Sequence, residues 1–365
     1  MADHLISRIG PQQYLSEPGA YEYLPEFLRT LRAKRVLILH GTKSWQKAAP
    51  YFPDLDQTGV NVYDLKFGGE CSKSEITRVA QKINAFAIDA IIGLGGGKII
   101  DTAKAAAVKA GECDFIIIPT LASNCAAWSA LSVIYDDNGI AIGPEIFPKQ
   151  SNLVLIEPRV ILDSPVDYFI AGVADTLAKW YESDAILGRL QVHHLSLLYA
   201  RKSAETCRDI PLKYAIRAVK DMKQGTLSAA WQLVMETNIV AGGLVGGFGD
   251  KYGRATAAHS IHDALTHFPE TVNLLHGVKV AYGVMVQLAL EKKWAEIRRL
   301  QPFYRQLNLP LSLRDLHLDM QPEQKIHQLA AFAASPDKTI HLLPFEVTEQ
   351  SVFSAIQQLE KRAAQ

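Results

Sequence analysis

The sequence predicts two halves of different class: an N-terminal α/β domain built on a doubly wound parallel sheet, followed by an all-helical C-terminal domain. Three observations predict it. Short β-branched runs alternate with helical patterns through the first 160 residues, and these runs stop near Asp163. The length of 365 residues also exceeds the roughly 100–200 that one domain ordinarily holds. The expected boundaries are therefore 1–160 and 161–365.

Taken in order, strands are expected at 35–39, 61–67, 89–93, 115–118 and 153–156. Most read as nearly continuous apolar runs, the pattern of parallel strands covered on both faces. Ser72-Lys73-Ser74-Glu75 is a capping box that opens one helix, and the Ala/Lys-rich stretch 101–110 reads as another. Pro158 and Pro165 bracket the change of class. Beyond them, helical periodicity covers 170–187, 193–207, 215–245, 255–268 and 276–293. There is no internal repeat.

Composition narrows the function. Hydrophobic residues make up 48% and charged residues 21%, as in ordinary globular proteins. Lys+Arg and Asp+Glu both number 38, so no basic excess exists for nucleic acid or an anionic membrane, and a small-molecule partner is expected. No apolar run reaches the roughly 18–20 residues of a membrane span, and Met1-Ala2-Asp3-His4 lacks the basic start of a secretory signal. Four cysteines without a C-x-x-C pair suit a reduced compartment, so a cytoplasmic location is expected.

Ile91-Ile92-Gly93-Leu94-Gly95-Gly96-Gly97-Lys98 runs off a buried strand into a helix containing Asp101 and Lys104. Glycines let the backbone approach a pyrophosphate while the helix N-terminus meets its charge. The run matches neither G-x-G-x-x-G nor the P-loop, and by itself a tight βα turn stays open. The segment from Pro119 to Tyr135 leaves the same carboxyl edge, where open α/β sheets bind ligands. In the helical half Asp175, the pair His259 and His262, and His276 come from three helices. Read alone, Asp175 is as readily a helix-start acid as a ligand. Three such donors are nevertheless what a catalytic zinc needs, with its fourth position left to a substrate oxygen.

The string Gly-Gly-Gly-Lys-x-x-Asp-x-x-Lys at 95–104 resembles the glycerol-dehydrogenase-like branch of the iron-containing alcohol dehydrogenases. So do P-T-x-A-S at 119–123 with S-A-L-S-V-x-Y at 129–135, G-x-x-D-x-L-A-x-W at 172–180, A-A-H-x-x-H at 257–262 and L-H-G-x-K-V-A-x-G at 275–283. The resemblance implies a Rossmann-like domain plus a helical domain, the fold shared with dehydroquinate synthase. It implies metal ligands Asp175, His259 and His276, and a cofactor, NADP(H) or NAD(H), held by Gly41, Gly95, Gly96, Gly97, Lys98, Asp101, Thr120, Ser123, Ser129, Leu131 and Tyr135. Iron-binding relatives place a further histidine where this chain has Lys179, so Zn2+ is expected over Fe2+. NAD-preferring members carry an acid at Gly41, which points to NADP(H) here.

His262, Lys179 and Cys125 are the expected catalytic residues: His262 as proton carrier or as a partner orienting His259, Lys179 as a cation for an anionic substrate, Cys125 as a substrate-facing replacement. Cys125 stands where glycerol dehydrogenases have an aspartate, and with Trp128 it looks closer to the hydroxycarboxylate dehydrogenase branch. The expected reaction is thus interconversion of small 2-oxo acids and 2-hydroxy acids. A glycerol, polyol or simple alcohol dehydrogenase is the alternative, a dehydroquinate synthase-like lyase the rival of another class, and a homo-oligomer the expected assembly.

Overall fold

The structure, a computed structural model, describes residues 4–111, 113–190, 194–318 and 322–363. The N-terminal residues Met1 to Asp3 and the expected helix start at His193 lie outside them. The strands are β1 (Gln13–Ser16), β2 (Arg35–His40), β3 (Asn61–Lys66), β4 (Ala90–Gly95), β5 (Asp114–Pro119), β6 (Leu131–Tyr135), β7 (Ala141–Ile146) and β8 (Leu153–Ile156). The helices of the first half are α1 (Leu24–Thr30), α2 (Thr42–Ala48), α3 (Lys73–Ala85), α4 (Gly97–Ala110) and α5 (Pro158–Leu162).

Six strands form one parallel sheet in the order β1-β8-β5-β4-β2-β3. Alternate residues point to opposite faces, and both faces are buried. Leu37, Leu39, Ile91 and Ile117 pack with Val79 and Ile83 of α3 and Ile100 and Ala103 of α4. Val36, Ile38, Ile92 and Ile118 pack with Leu24, Phe27 and Leu28 of α1. The strand order reverses between β2 and β4, so their carboxyl ends flank a crevice with Gly41 on one side and the Gly95–Lys98 loop on the other.

All five expected strands are present, and three others occur that no apolar run marks. β1 is a short, half-exposed edge strand with polar residues at both ends. β6 and β7 form a separate antiparallel hairpin, in which Gly143 at φ +145° and Pro144 break the apolar pattern. Residues 131–135, read as part of a cofactor loop, are therefore strand.

The helical half comprises α6 (Val166–Leu187), α7 (Leu195–Lys223), α8 (Ala229–Glu236), α9 (Gly242–Gly249), α10 (Ala257–Leu265), α11 (His276–Leu290), α12 (Trp294–Gln306), α13 (Pro322–Ala333) and α14 (Glu349–Ala363). The continuous helix expected over 215–245 is instead broken. α7 stops before Gly225 at φ +64°, Ser228 caps α8 through the Trp231 N–H, and a π-turn at Thr237–Ala241 leads into α9. Among the described residues no helix is long and apolar enough to cross a membrane.

Two glycines set the spacing around α11. A Cβ built on Gly277 would lie 1.8 Å from the Ala171 carbonyl oxygen of α6, and one on Gly283 would lie 2.2 Å from that of Ala258 in α10. Only bare backbone permits those approaches, and they bring the three ligand-bearing helices together. Gly277→Ala should accordingly lower unfolding stability by about 1–3 kcal/mol through overpacking, measured by thermal or urea denaturation. Wild-type stability in this variant would show that the α6–α11 contact yields freely.

Candidate active site

Asp175 is buried in the middle of α6, and its Oδ1 has no hydrogen-bond partner. His259 Nε2 stands 3.3 Å from that oxygen and His276 Nε2 stands 3.4 Å from it. The three ligand atoms all lie within 4.8 Å of one another. Donors held about 2.0–2.1 Å from a tetrahedral ion lie about 3.3–3.4 Å apart, so an N, N, O set with this spacing fits a divalent metal. An orphaned buried carboxylate oxygen is costly without such a cation.

The remaining atoms of these ligands are spoken for. Glu182, two turns after Asp175 on α6, accepts from His259 Nδ1 at 2.6 Å and from the backbone N–H groups of Thr256 and His259. That hydrogen bond puts the ring proton on Nδ1 and leaves Nε2 facing Asp175. His276 Nδ1 meets His262 Nε2 at 2.9 Å, and His262 Nδ1 meets Asp263 Oδ1 at 3.1 Å. Lys338 closes the chain 3.2 Å from Asp263. His262 therefore orients His276, whereas the sequence suggested His259 as its partner. Burial and the neighbouring His276 push His262 down to about 3, so it is neutral with a single ring proton.

Lys179 lies one turn from Asp175, its Nζ 3.8 Å from Oδ1. Burial is the largest influence and opposes its charge, but Asp175, Glu182 and the other groups around it together outweigh this and raise the ammonium pKa. Burial also opposes ionisation of Asp175, yet Lys179 and the two histidines hold it well below the usual carboxylate range. Cys125 is kept as a thiol mainly by burial, with its Cβ 3.3 Å from the position a Gly242 side chain would take.

The loop carrying Cys125 is held from both halves. Lys104 Nζ donates to the carbonyls of Ala126, Ser129 and Leu131 and pairs with Asp101. Asn238, on the π-turn, donates to the Ala122 carbonyl at 3.1 Å and accepts from Thr176 Oγ1. Trp128 is buried, its indole N–H bonded to the Ile9 carbonyl.

Gly96 and Gly97 open α4 with no side-chain cap, leaving backbone N–H groups available at its start. Thr120 adjoins them through its N–H to the Gly95 carbonyl, Asn124 abuts Gly97, and Lys98 Nζ lies 5.5 Å over the Tyr135 ring. A Cβ on Gly41 would meet Ile99 of α4 at 3.2 Å, which puts Gly41 beside the same loop. Ser123 is half-buried in the adjoining loop, and Leu131 lends its carbonyl to Lys104. Two expected contacts point elsewhere. Asp101 is buried against Lys104 and the Val133 N–H, and Ser129 Oγ closes a turn on the Cys125 carbonyl.

The sequence does not single out Glu182, Asp263, Asn238 or Lys338, which the structure places as supports of the site. The spacing of seven between Asp175 and Glu182, which puts both on one helical face, was a usable signal. Nothing local marks Asn238 or Lys338.

Comparison with known proteins bears on this arrangement. The description "Iron-containing alcohol dehydrogenase" matches residues 11–158. Hydroxycarboxylate dehydrogenase A of Escherichia coli (strain K12) is 35% identical over 353 residues, covering 96% of both chains. The chain belongs to the iron-containing alcohol dehydrogenase family, in its glycerol-dehydrogenase-like branch. Glycerol dehydrogenase of Thermotoga maritima is 31% identical, covering 98% of this chain and 97% of its own. The structure of a probable glycerol dehydrogenase from Sinorhizobium meliloti 1021 superposes with a TM-score of 0.89 at 29% identity, covering 99% of each chain. As a member of the family, this protein is an NAD(P)-dependent oxidoreductase acting on CH–OH groups, with a metal-binding Asp/His/His triad; the lyase alternative falls away.

The support of His259 by Glu182 is directly testable. Glu182→Gln should weaken zinc binding about 10–100-fold in competition with a chromophoric chelator. Unchanged affinity would mean that His259 is oriented by other contacts.

Proposed function

We propose that the cleft between the Gly95–Lys98 loop and the Asp175, His259 and His276 triad exchanges a hydride between a nicotinamide dinucleotide and the carbon of a small alcohol, with zinc as the resident metal. The observation that carries this reading is the spacing of the two imidazole nitrogens about the Asp175 oxygen that accepts no hydrogen bond. When bound, the metal supplies Lewis acidity toward the substrate oxygen and the dinucleotide supplies or accepts the hydride. Residues 1–160 hold the dinucleotide and 161–365 hold the metal. Zinc is favoured because Lys179 occupies the position of a further histidine and, as a cation paired with Asp175, offers no lone pair. His262 carries one proton, on the nitrogen facing Asp263, and so links the triad to a carboxylate that is partly exposed.

Two substrate readings differ at this site. The alcohol or polyol reading is favoured by the relatives, since two of the three named above carry glycerol dehydrogenase in their names. The 2-oxo acid reading is favoured by Cys125, which leaves the loop without a carboxylate, by the cation Lys179, and by the name of the Escherichia coli relative. A panel of glycerol, simple alcohols and small 2-oxo acids, with each cofactor, separates them. Glycerol or alcohol turnover exceeding acid reduction supports the first, and the reverse supports the second. Chelation should abolish every activity and zinc should restore it; full turnover in metal-free protein would refute the reaction proposed. In the acid reading, Lys179→Met should raise KM for the acid about tenfold to a hundredfold and KM for a neutral ketone far less.

The four cysteines are free and the net charge is zero, which fits a cytoplasmic enzyme of small solutes. Exposed Leu195, Leu198 and Tyr199 on α7 fit a homo-oligomer. Gly41 offers no carboxylate to repel a 2′-phosphate, which supports use of NADP(H). Gly41→Asp should depress kcat/KM for NADPH about tenfold or more, since about 1.4 kcal/mol of repulsion suffices. A wild-type enzyme tenfold better with NADH would assign the choice to another position.

A further inference from the structure

Lys279 lies on α11 one turn after His276, so the two side chains leave neighbouring positions on one face of the helix. It is 7% exposed, yet among the described residues its ammonium has neither hydrogen bond nor ion pair. The other deeply buried lysines are satisfied: Lys104 has Asp101 and three carbonyls, and Lys179 has Asp175. The stem is buried while the ammonium keeps some contact with solvent, so the charge sits in a confined opening with no partner among the described residues.

The charges facing Lys279 are Lys98, at the start of α4 in the opposite half, and Asp263 on α10. Asp263 is already engaged with His262 and Lys338, and Lys98 itself is paired with Glu70. Burial, with Lys98 adding to it, pushes Lys279 down to about 8. Cations from two halves thus face a region where the uncapped N–H groups of Gly97 and Lys98 also emerge.

We propose that Lys279 is an oxyanion-binding residue of the cleft, taking either a phosphate of the dinucleotide or the carboxylate of an acid substrate. Such a group would supply the partner that Lys279 lacks and relieve its repulsion with Lys98. The proposal rests on the reading of the cleft as a dinucleotide site. Loss of an ammonium–oxyanion contact should weaken binding about tenfold or more, and salt should shrink the difference.

The test uses zinc-loaded full-length protein and direct binding. NADPH is titrated by fluorescence, ADP-ribose by its displacement of NADPH, and oxamate as a non-reducible 2-oxo acid analogue by calorimetry, in wild type, Lys279→Met and Lys279→Arg. A phosphate partner predicts that Lys279→Met weakens NADPH and ADP-ribose at least tenfold, that Lys279→Arg restores most of it, and that the gap narrows from 0.05 to 0.5 M salt (about 14 to 4 Å of screening length). A carboxylate partner predicts the same loss for oxamate alone. All three probes binding Lys279→Met as tightly as wild type would overturn the proposal, even though wild type binds NADPH. Failure of wild type itself to bind NADPH would instead overturn the dinucleotide reading. If Lys279→Met does not fold, Lys279→Gln carries the same expectations.

Discussion

A carboxylate buried without a hydrogen bond on one of its oxygens is the constraint on which the helical half depends. Asp175 is tolerable there because Lys179, His259 and His276 surround it and favour its ionised form. Those neighbours arrive on three helices, and their convergence requires backbone contact at Gly277 and Gly283. Packing and electrostatics are therefore one problem: the glycines that let α11 settle on α6 and α10 also set the distances among the donors.

The polar groups beneath the site form two separate supports. Glu182 locks His259 from within α6 and simultaneously caps the start of α10 by accepting from Thr256 and His259. His276 leans on a longer chain through His262 and Asp263 to Lys338, which lies beyond α13. One ligand is held by a short, rigid carboxylate contact and the other by a relay that reaches toward the surface. Such an asymmetric pair gives the site one wall fixed from within a helix and one held through a chain of side chains on other elements.

Much of this was legible in the residues. Parallel strands buried on both faces declare themselves by continuous apolar runs, and 35–39, 89–93 and 115–118 were plain for that reason. The ligand triad was legible through its motifs, because the residue types and the helices that carry them are local properties. Edge strand β1 and the β6–β7 hairpin were not, since half-exposed strands with Gly143 and Pro144 lose the period that marks them. The break in 215–245 was hidden because Gly225 and Ser228 interrupt an apolar period that resumes at once. Asn238 and Lys338 act only through partners far away in sequence, such as Ala122 and Asp263, and local spacing carries no trace of such pairs.

The loop from Ala122 to Ala130 is held from both halves. Its carbonyls are gripped by Lys104 from the sheet side and by Asn238 from the helical side, and its Trp128 is moored to the N-terminal segment at Ile9. Backbone contacts of that kind are indifferent to the side chain at position 125. The loop therefore works as a jig: its path is set by backbone contacts that do not involve the side chain of residue 125, which packs beside Gly242. A substitution at position 125 would leave those moorings in place, whereas grafting the loop alone into a distant relative would strand it without them.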